Sequence, residues 1–309
     1  MRSFPILLLI LIAFHACKPS DTKEEVATTE KVTYQVISTD DYELHRPNVK
    51  PTAVLVLFGG YPEMAKDIKR EFKILEKAKA NQIAIVYSNL NKKLWFEENE
   101  LNELSETIQK IFTTNNLPTD HLYISGFSSG GDVALLVGDY LTKNEQLNLT
   151  PKGIFIVDSP IDLAELYFSS EKNLQRNFSE VSVQESNWII KMLGDRFGNP
   201  NQSLTAYEAF SVFTLKTSSI KNINNLKNTK IRLYTEPDSL WWKEHRMADF
   251  DQTNAYLIKE LSKTLINAGF TKTEYIPTEN RGVRSNNERH PHSWSIVETG
   301  ELINWILDQ

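Results

Sequence analysis

One serine in the sequence has the neighbours that a reactive serine requires. The segment 126–130 reads Gly-Phe-Ser-Ser-Gly and lies between an apolar run and a stretch free of helix breakers. A serine at the apex of a tight strand-to-helix turn needs small residues two positions before and after it, because these residues touch. Ser128 meets this condition, whereas Ser129 follows Phe127 by two residues. The spacing predicts Ser128 as a nucleophile and the Ser129 amide as an oxyanion donor; the alternative is a plain turn rich in glycine and serine.

Histidines near the C-terminus could supply the base that a serine nucleophile needs. A serine hydroxyl reacts once a neutral imidazole takes its proton, and a carboxylate must in turn orient that imidazole. His290 and His292 lie in a polar loop before the last predicted helix, so one of them could face Ser128. The alternative is that both are surface residues. The other four histidines lie in the N-terminal apolar segment or beside predicted strands: His15, His45, His121 and His245.

Strands and helices alternate along most of the chain, which indicates a parallel sheet covered by helices on both faces. The runs at 52–58 and 153–157 are almost continuously apolar, so we expect both strands to be buried. Between 161 and 228 no strand is evident, and we expect a mainly helical insertion whose aromatics, such as Trp188, either line a pocket or pack on the core. The remaining predicted strands lie at 32–38, 42–44, 83–87, 230–234 and 273–276, and the predicted helices at 63–80, 97–116, 251–268 and 297–307.

The order of a serine, then an acid after a later strand, then a histidine before the last helix resembles that of the α/β-hydrolases. The resemblance covers residues 53–309, and the Gly-x-Ser-x-Gly-Gly form at 126–131 is similar to secreted esterases and prolyl-oligopeptidase-like enzymes. It implies an α/β fold with a doubly wound, mostly parallel sheet and acyl-transfer chemistry on Ser128. The length of the strand-free interval at 161–228 indicates that this helical insertion covers the active site as a lid.

The same resemblance assigns the oxyanion donors and the base. The loop after the strand at 52–58 supplies the second oxyanion donor in this family, which here is the amide of Gly60 or Tyr61. His292 is favoured over His290 as the base, because His-Ser-Trp before the last helix is similar to the His-x-Trp ending of several esterases.

The resemblance also implies an acid a few residues after the penultimate strand. Asp238 lies four residues after Tyr234 and is the preferred acid, with Glu236 as the alternative. Asp158 also follows a strand, but Ser-Pro comes directly after it, so we interpret Asp158 as the start of a structural Asx turn.

Composition and motif content exclude several classes of function. The 309 residues include 34 basic and 40 acidic ones, a net charge of −6 that argues against a nucleic-acid partner. No His-Glu-x-x-His pattern, dinucleotide fingerprint or P-loop is present, so we expect no metal and no nucleotide cofactor. Because the chain has a single cysteine, it can form no internal disulfide.

The N-terminus has the pattern of an export signal. An arginine precedes the apolar run at 6–14, which is too short to span a bilayer and ends just before Cys17. Residues 1–17 therefore resemble a bacterial lipoprotein signal whose cysteine becomes lipidated, with ordinary signal cleavage as the alternative. Residues 18–31 carry few large apolar side chains and are predicted to tether the domain at 32–309 to the membrane.

Taken together, the sequence predicts an exported, lipid-anchored serine hydrolase that cleaves a small-molecule or carbohydrate-linked carboxylic ester. Two alternatives remain open on these residues. One is a serine peptidase of the same fold, and the other is a surface lipoprotein without activity that binds carbohydrate or a protein partner.

Overall fold

The computed structural model describes residues 32–90 and 93–308, and this part of the chain is built around an eight-stranded sheet. The strands are β1 (Tyr34–Ser38), β2 (Tyr42–Pro47), β3 (Ala53–Phe58), β4 (Ile83–Ser88), β5 (Leu122–Phe127), β6 (Gly153–Val157), β7 (Lys230–Thr235) and β8 (Thr273–Pro277). They are ordered β1-β2-β4-β3-β5-β6-β7-β8 across the sheet. The predicted signal at 1–17, with Cys17, and the predicted tether at 18–31 lie outside the described residues.

Burial explains the direction and order of the strands. Every residue of β3, β4, β5 and β6 is buried, as the apolar runs predict, because helices cover both faces of the sheet centre. These strands and β7 and β8 run parallel, while β1 and β2 pair antiparallel at one edge. The doubly wound, mostly parallel sheet predicted from the sequence is confirmed.

Ten α-helices surround the sheet in the described residues. They are α1 (Ala65–Glu71), α2 (Leu75–Ala80), α3 (Glu98–Thr114), α4 (Ser129–Lys143), α5 (Leu163–Arg176), α6 (Glu180–Phe197), α7 (Leu204–Glu208), α8 (Ser239–Arg246), α9 (Asn254–Asn267) and α10 (Thr299–Ile306). Alternate side chains of β3 enter two apolar layers, one shared with α3, α4 and α9 and the other with α1, α2 and α10. This layering holds helix α4, which begins directly after Ser128, between the sheet and the neighbouring helices.

The segment between β6 and β7 contains three of these helices, α5, α6 and α7. Its aromatic residues divide into two groups. Tyr207 is fully buried and packs against Phe197 at a ring-centroid distance of 5.1 Å, within an apolar cluster that the segment forms with Leu94. Trp188 on α6 is 44% exposed instead. Most of the segment's aromatic content is therefore packing, and Trp188 is the exception.

Two features differ from the sequence-based expectations. The helix predicted at 63–80 is interrupted at Phe72, whose backbone leaves the helical region so that its ring stacks on Trp294 at 4.6 Å. Helix α8 is absent from the sequence-based prediction. Asp238 caps this helix, because its side chain accepts a hydrogen bond from the amide of Trp241 at 2.9 Å. None of the helices in the described part of the chain is long and apolar enough to span a membrane.

Candidate active site

The turn between β5 and α4 holds Ser128 in a strained conformation. Its φ of 52° and ψ of −132° lie in a region that side-chain-bearing residues rarely occupy. A Cβ added at Gly126 would lie 1.9 Å from the carbonyl oxygen of Gly130, and one at Gly130 would lie 2.4 Å from that of Gly59. The small residues predicted around Ser128 are therefore required by contact, and the turn presents the serine at the carboxyl end of β5.

His292 is oriented by Asp158. The Nδ1 atom of His292 lies 2.7 Å from Oδ2 of Asp158, and Oδ1 of Asp158 accepts a hydrogen bond from the Thr235 hydroxyl at 2.7 Å. Asp158 is 2% exposed, so its charge is largely shielded from water. When the Nδ1–H group of a histidine donates to a carboxylate, the imidazole keeps its proton on Nδ1, and Nε2 is free to accept another proton.

Neighbouring strands bring this pair to Ser128. The amide of Ser128 donates to the carbonyl of Val157 at 2.9 Å, so Ser128 and Asp158 lie at the adjacent ends of β5 and β6. The ring of Phe127 packs on His292 with centroids 4.5 Å apart. In the described part of the chain, Ser128 and His292 share no direct hydrogen bond, a contact that commonly tightens only when substrate binds.

The structure does not bring the acid predicted from the sequence to His292. Asp238 caps α8 and accepts a hydrogen bond from Nη2 of Arg289 at 2.7 Å, and in the described structure it forms no hydrogen bond or ion pair with His292. Helix caps and catalytic acids both follow strands, so position alone could not separate the two roles. The alternative acid, Glu236, forms no hydrogen bond with His292 in the described structure. It is 1% exposed and accepts hydrogen bonds from the amides of Arg281 and Gly282 at 2.9 Å each, which anchors the loop that leads to His292.

The partner of His292 was interpreted from the sequence as a structural turn residue. Asp158 has φ of 46°, and its carbonyl accepts from Nδ2 of Asn254 at 2.9 Å, so the chain does turn there. Its side chain nevertheless points to His292. The available signal was its position directly after β6, the strand next to the one that carries the serine.

His290, the alternative base, packs among aromatic rings and bonds to the backbone of His292. Its ring packs against Trp241 and Trp242 with centroid distances of 4.5 and 5.8 Å, and its Nδ1 accepts the amide of His292 at 3.1 Å. Burial, reinforced by the nearby positive charge of Arg284, lowers the pKa of His290 to about 2. His290 is therefore neutral and holds the backbone of His292, and its ring centroid lies 6.2 Å from that of His292.

The glycine loop after β3 lies against Ser128. A Cβ on Gly60 would lie 2.9 Å from Cβ of Ser128, so only glycine allows this approach. Both amides predicted as second oxyanion donors are already hydrogen-bonded: that of Gly60 to Oε2 of Glu63 and that of Tyr61 to the hydroxyl of Ser129, each at 2.9 Å. The Ser129 amide is the first of helix α4, a position without an acceptor inside the helix.

Glu63 joins the glycine loop to the histidine loop. Its Oε2 also accepts from the indole nitrogen of Trp294 at 3.3 Å, and burial raises the pKa of its carboxyl group. Trp294 in turn packs on Phe127, the ring that supports His292. Nowhere in residues 32–90 and 93–308 are three His, Cys, Asp or Glu side chains grouped so that they could hold a metal ion.

Comparisons with solved structures agree with this architecture. An esterase of the bacterial hormone-sensitive lipase family is 10% identical with a TM-score of 0.53, and 91% of this chain and 85% of that one are covered. The serine hydrolase FphF of Staphylococcus aureus is 13% identical with a TM-score of 0.53, covering 90% and 99%. Carboxyl esterase 2 of the fungus Tuber melanosporum is 13% identical with a TM-score of 0.50, covering 82% and 78%. No family model and no curated protein matches the sequence. The likeness, together with the strand order, establishes that the chain has the α/β-hydrolase fold.

Proposed function

We propose that the protein is a serine hydrolase that cleaves carboxylic esters. The observation that carries the proposal is the pair of His292 and Asp158, 2.7 Å apart, at the strand ends beside the strained Ser128. A buried carboxylate on Nδ1 prepares the imidazole to accept a proton, and the strained turn presents the hydroxyl to a substrate.

In the proposed reaction, Oγ of Ser128 attacks the ester carbonyl carbon while Nε2 of His292 takes the hydroxyl proton. The tetrahedral oxyanion collapses, the bond to the alcohol oxygen breaks, and His292 returns the proton to the departing alcohol. Water then adds to the acyl-enzyme in the same way and releases the acid and Ser128. Asp158 stays ionised and stabilises the imidazolium in both halves of the reaction.

Substrate preference in this proposal depends on an aromatic pair near the glycine loop. Tyr61 and Trp188 stack with centroids 5.4 Å apart and planes 12° from parallel, and they are 53% and 44% exposed. The amide of Tyr61 bonds to Ser129, so its ring begins close to the reacting centre. The pair offers a flat apolar surface to the acyl or alcohol part of a substrate, and it connects helix α6 to the loop, as a lid would.

The location of the enzyme is also a proposal. The apolar run at 6–14 and Cys17 support export to the cell envelope and attachment through a lipid on that cysteine, with residues 18–31 as the tether. Metabolic labelling with a fatty-acid analogue tests this: the wild-type protein should carry label, and a Cys17→Ala variant should not.

The activity is tested by hydrolysis of p-nitrophenyl acetate and butyrate. We expect kcat/KM to fall by about four orders of magnitude or more in Ser128→Ala and His292→Ala. Ser125→Ala is the matched control, because Ser125 is buried in β5 and its hydroxyl has no partner among the described residues. Equal rates for the wild type and Ser128→Ala would refute the proposal, and cleavage of peptide substrates alone would replace it with a peptidase.

A further inference from the structure

The oxyanion side of the site has an unusual donor arrangement. In the proposed reaction the carbonyl oxygen gains charge between the glycine loop and the start of helix α4, where Gly60 approaches Ser128. Two backbone amides would ordinarily be expected to hold that charge. Here the amide of Gly60 donates to Glu63, and that of Tyr61 donates to the side chain of Ser129.

Ser129 therefore bonds to the glycine loop through its side chain and directly follows Ser128 in the chain. Its residue is 3% exposed, and its hydroxyl oxygen accepts from the Tyr61 amide at 2.9 Å. A hydroxyl group can donate as well as accept. The described part of the chain provides no acceptor for the Ser129 proton, which leaves that proton available.

The hydrogen bond that the Ser129 hydroxyl accepts from the Tyr61 amide strengthens any hydrogen bond that the same hydroxyl donates. A hydroxyl that receives a hydrogen bond is polarised, so it becomes a better donor to a further acceptor. The Ser129 backbone amide, first in helix α4, is a second donor on the same residue, and it benefits from the positive end of the helix dipole.

We propose that the Ser129 hydroxyl is a catalytic oxyanion donor, which takes the place of a free backbone amide in the glycine loop. The inference rests on the proposed ester hydrolysis. In the transition state Ser129 would donate through both its amide and its hydroxyl, and the Tyr61 amide would act through that hydroxyl without touching the substrate. No proton is transferred in this step.

Ser129→Ala tests the proposal, because it removes the hydroxyl and leaves both backbone amides in place. We expect kcat to fall by about 10- to 100-fold with KM little changed, below the loss for a complete oxyanion donor because the freed Tyr61 amide partly compensates. Ser125→Ala, another buried serine beside the elbow, serves as the control and should keep wild-type kcat. Ser129→Thr, which restores the hydroxyl, should recover at least part of the rate.

A transition-state analogue separates a catalytic role from a structural one. A trifluoromethyl ketone forms a hemiketal oxyanion on Ser128, so its affinity should fall in Ser129→Ala by about the same factor as kcat/KM, while the midpoint of thermal unfolding stays close to that of the wild type. Unchanged or increased kcat in Ser129→Ala would overturn the inference and leave the proposed function standing, with the Tyr61 amide as the direct donor. Wild-type protein that hydrolyses no ester would overturn both.

Discussion

Replacing Asp158 with asparagine should remove most of the activity. The carboxylate is 2% exposed and receives two hydrogen bonds of 2.7 Å, from Nδ1 of His292 and from the Thr235 hydroxyl. Asparagine fits the same space but carries no charge. If its amide nitrogen faces His292, it imposes the tautomer with a proton on Nε2, which cannot accept the serine proton.

The size of the effect follows from these contacts. Loss of the correct tautomer and of the anion beside the imidazolium costs about 10⁴-fold in kcat, equivalent to ~5 kcal/mol of transition-state stabilisation. The fold should survive, because asparagine keeps the volume and can still bond to Thr235. The measurement is kcat on p-nitrophenyl acetate, with circular dichroism to verify folding.

Asp238→Asn is the matched control. The Asp238 side chain is 28% exposed, caps α8 and pairs with Arg289, and asparagine is an equally good helix cap. We expect its activity to stay within about fivefold of wild type, the equivalent of ~1 kcal/mol for a partly exposed ion pair. An active Asp158→Asn beside an inactive Asp238→Asn would refute the assignment of the acid and return it to Asp238.

Three further predictions concern the elements around the site. Because the pKa of His290 is lowered to about 2 in the folded protein, the unfolded chain binds more protons below pH 6.5, so the free energy of unfolding should fall by up to ~1.4 kcal/mol per pH unit on acidification below that value. Urea titrations should give a smaller fall for His290→Asn, and equal slopes for both proteins would contradict the assignment of a buried neutral histidine. Gly126→Ala should destabilise the fold by at least ~2 kcal/mol, because the added Cβ would lie 1.9 Å from the carbonyl oxygen of Gly130. Gly194→Ala is the control and should be neutral or stabilising, because its Cβ would lie 3.6 Å from Tyr167. Thermal unfolding compares the two variants, and a Gly126→Ala variant as stable as the wild type would refute the packing of the turn. Trp188→Ala should raise KM for a naphthyl ester by about 2- to 10-fold with little change for a butyl ester, and equal effects on both esters would show that the aromatic pair does not contact the substrate.

The sheet and the elbow could be predicted because local sequence determines them. Continuously apolar strands such as β3 are buried on both faces, and Gly126 contacts Gly130 within the turn itself. Spacing and residue type were therefore sufficient to predict both features, although the contact of Gly130 with Gly59 after β3 appears only in the folded structure.

The carboxylate that bonds to His292 could not be predicted, because its identity depends on which strand end lies next to the histidine loop. Asp158 and Asp238 both follow buried strands, and only their hydrogen-bond partners distinguish them. Asp158 bonds to His292, whereas Asp238 bonds to Arg289 and to the first turn of α8. The oxyanion donors have the same difficulty, since the Gly60 and Tyr61 amides are taken by side chains whose orientation appears only in the folded structure.

The most direct test of the central claim is covalent labelling of Ser128. A fluorophosphonate should add to the wild-type protein in a 1:1 ratio, and peptide mass spectrometry should locate the adduct on Ser128, because the nucleophile must be activated by His292 and Asp158 to react. Ser128→Ala should remain unlabelled, and Asp158→Asn should be labelled orders of magnitude more slowly than Asp238→Asn. Wild-type protein that stays unlabelled, or that carries the adduct on another residue, would contradict the account.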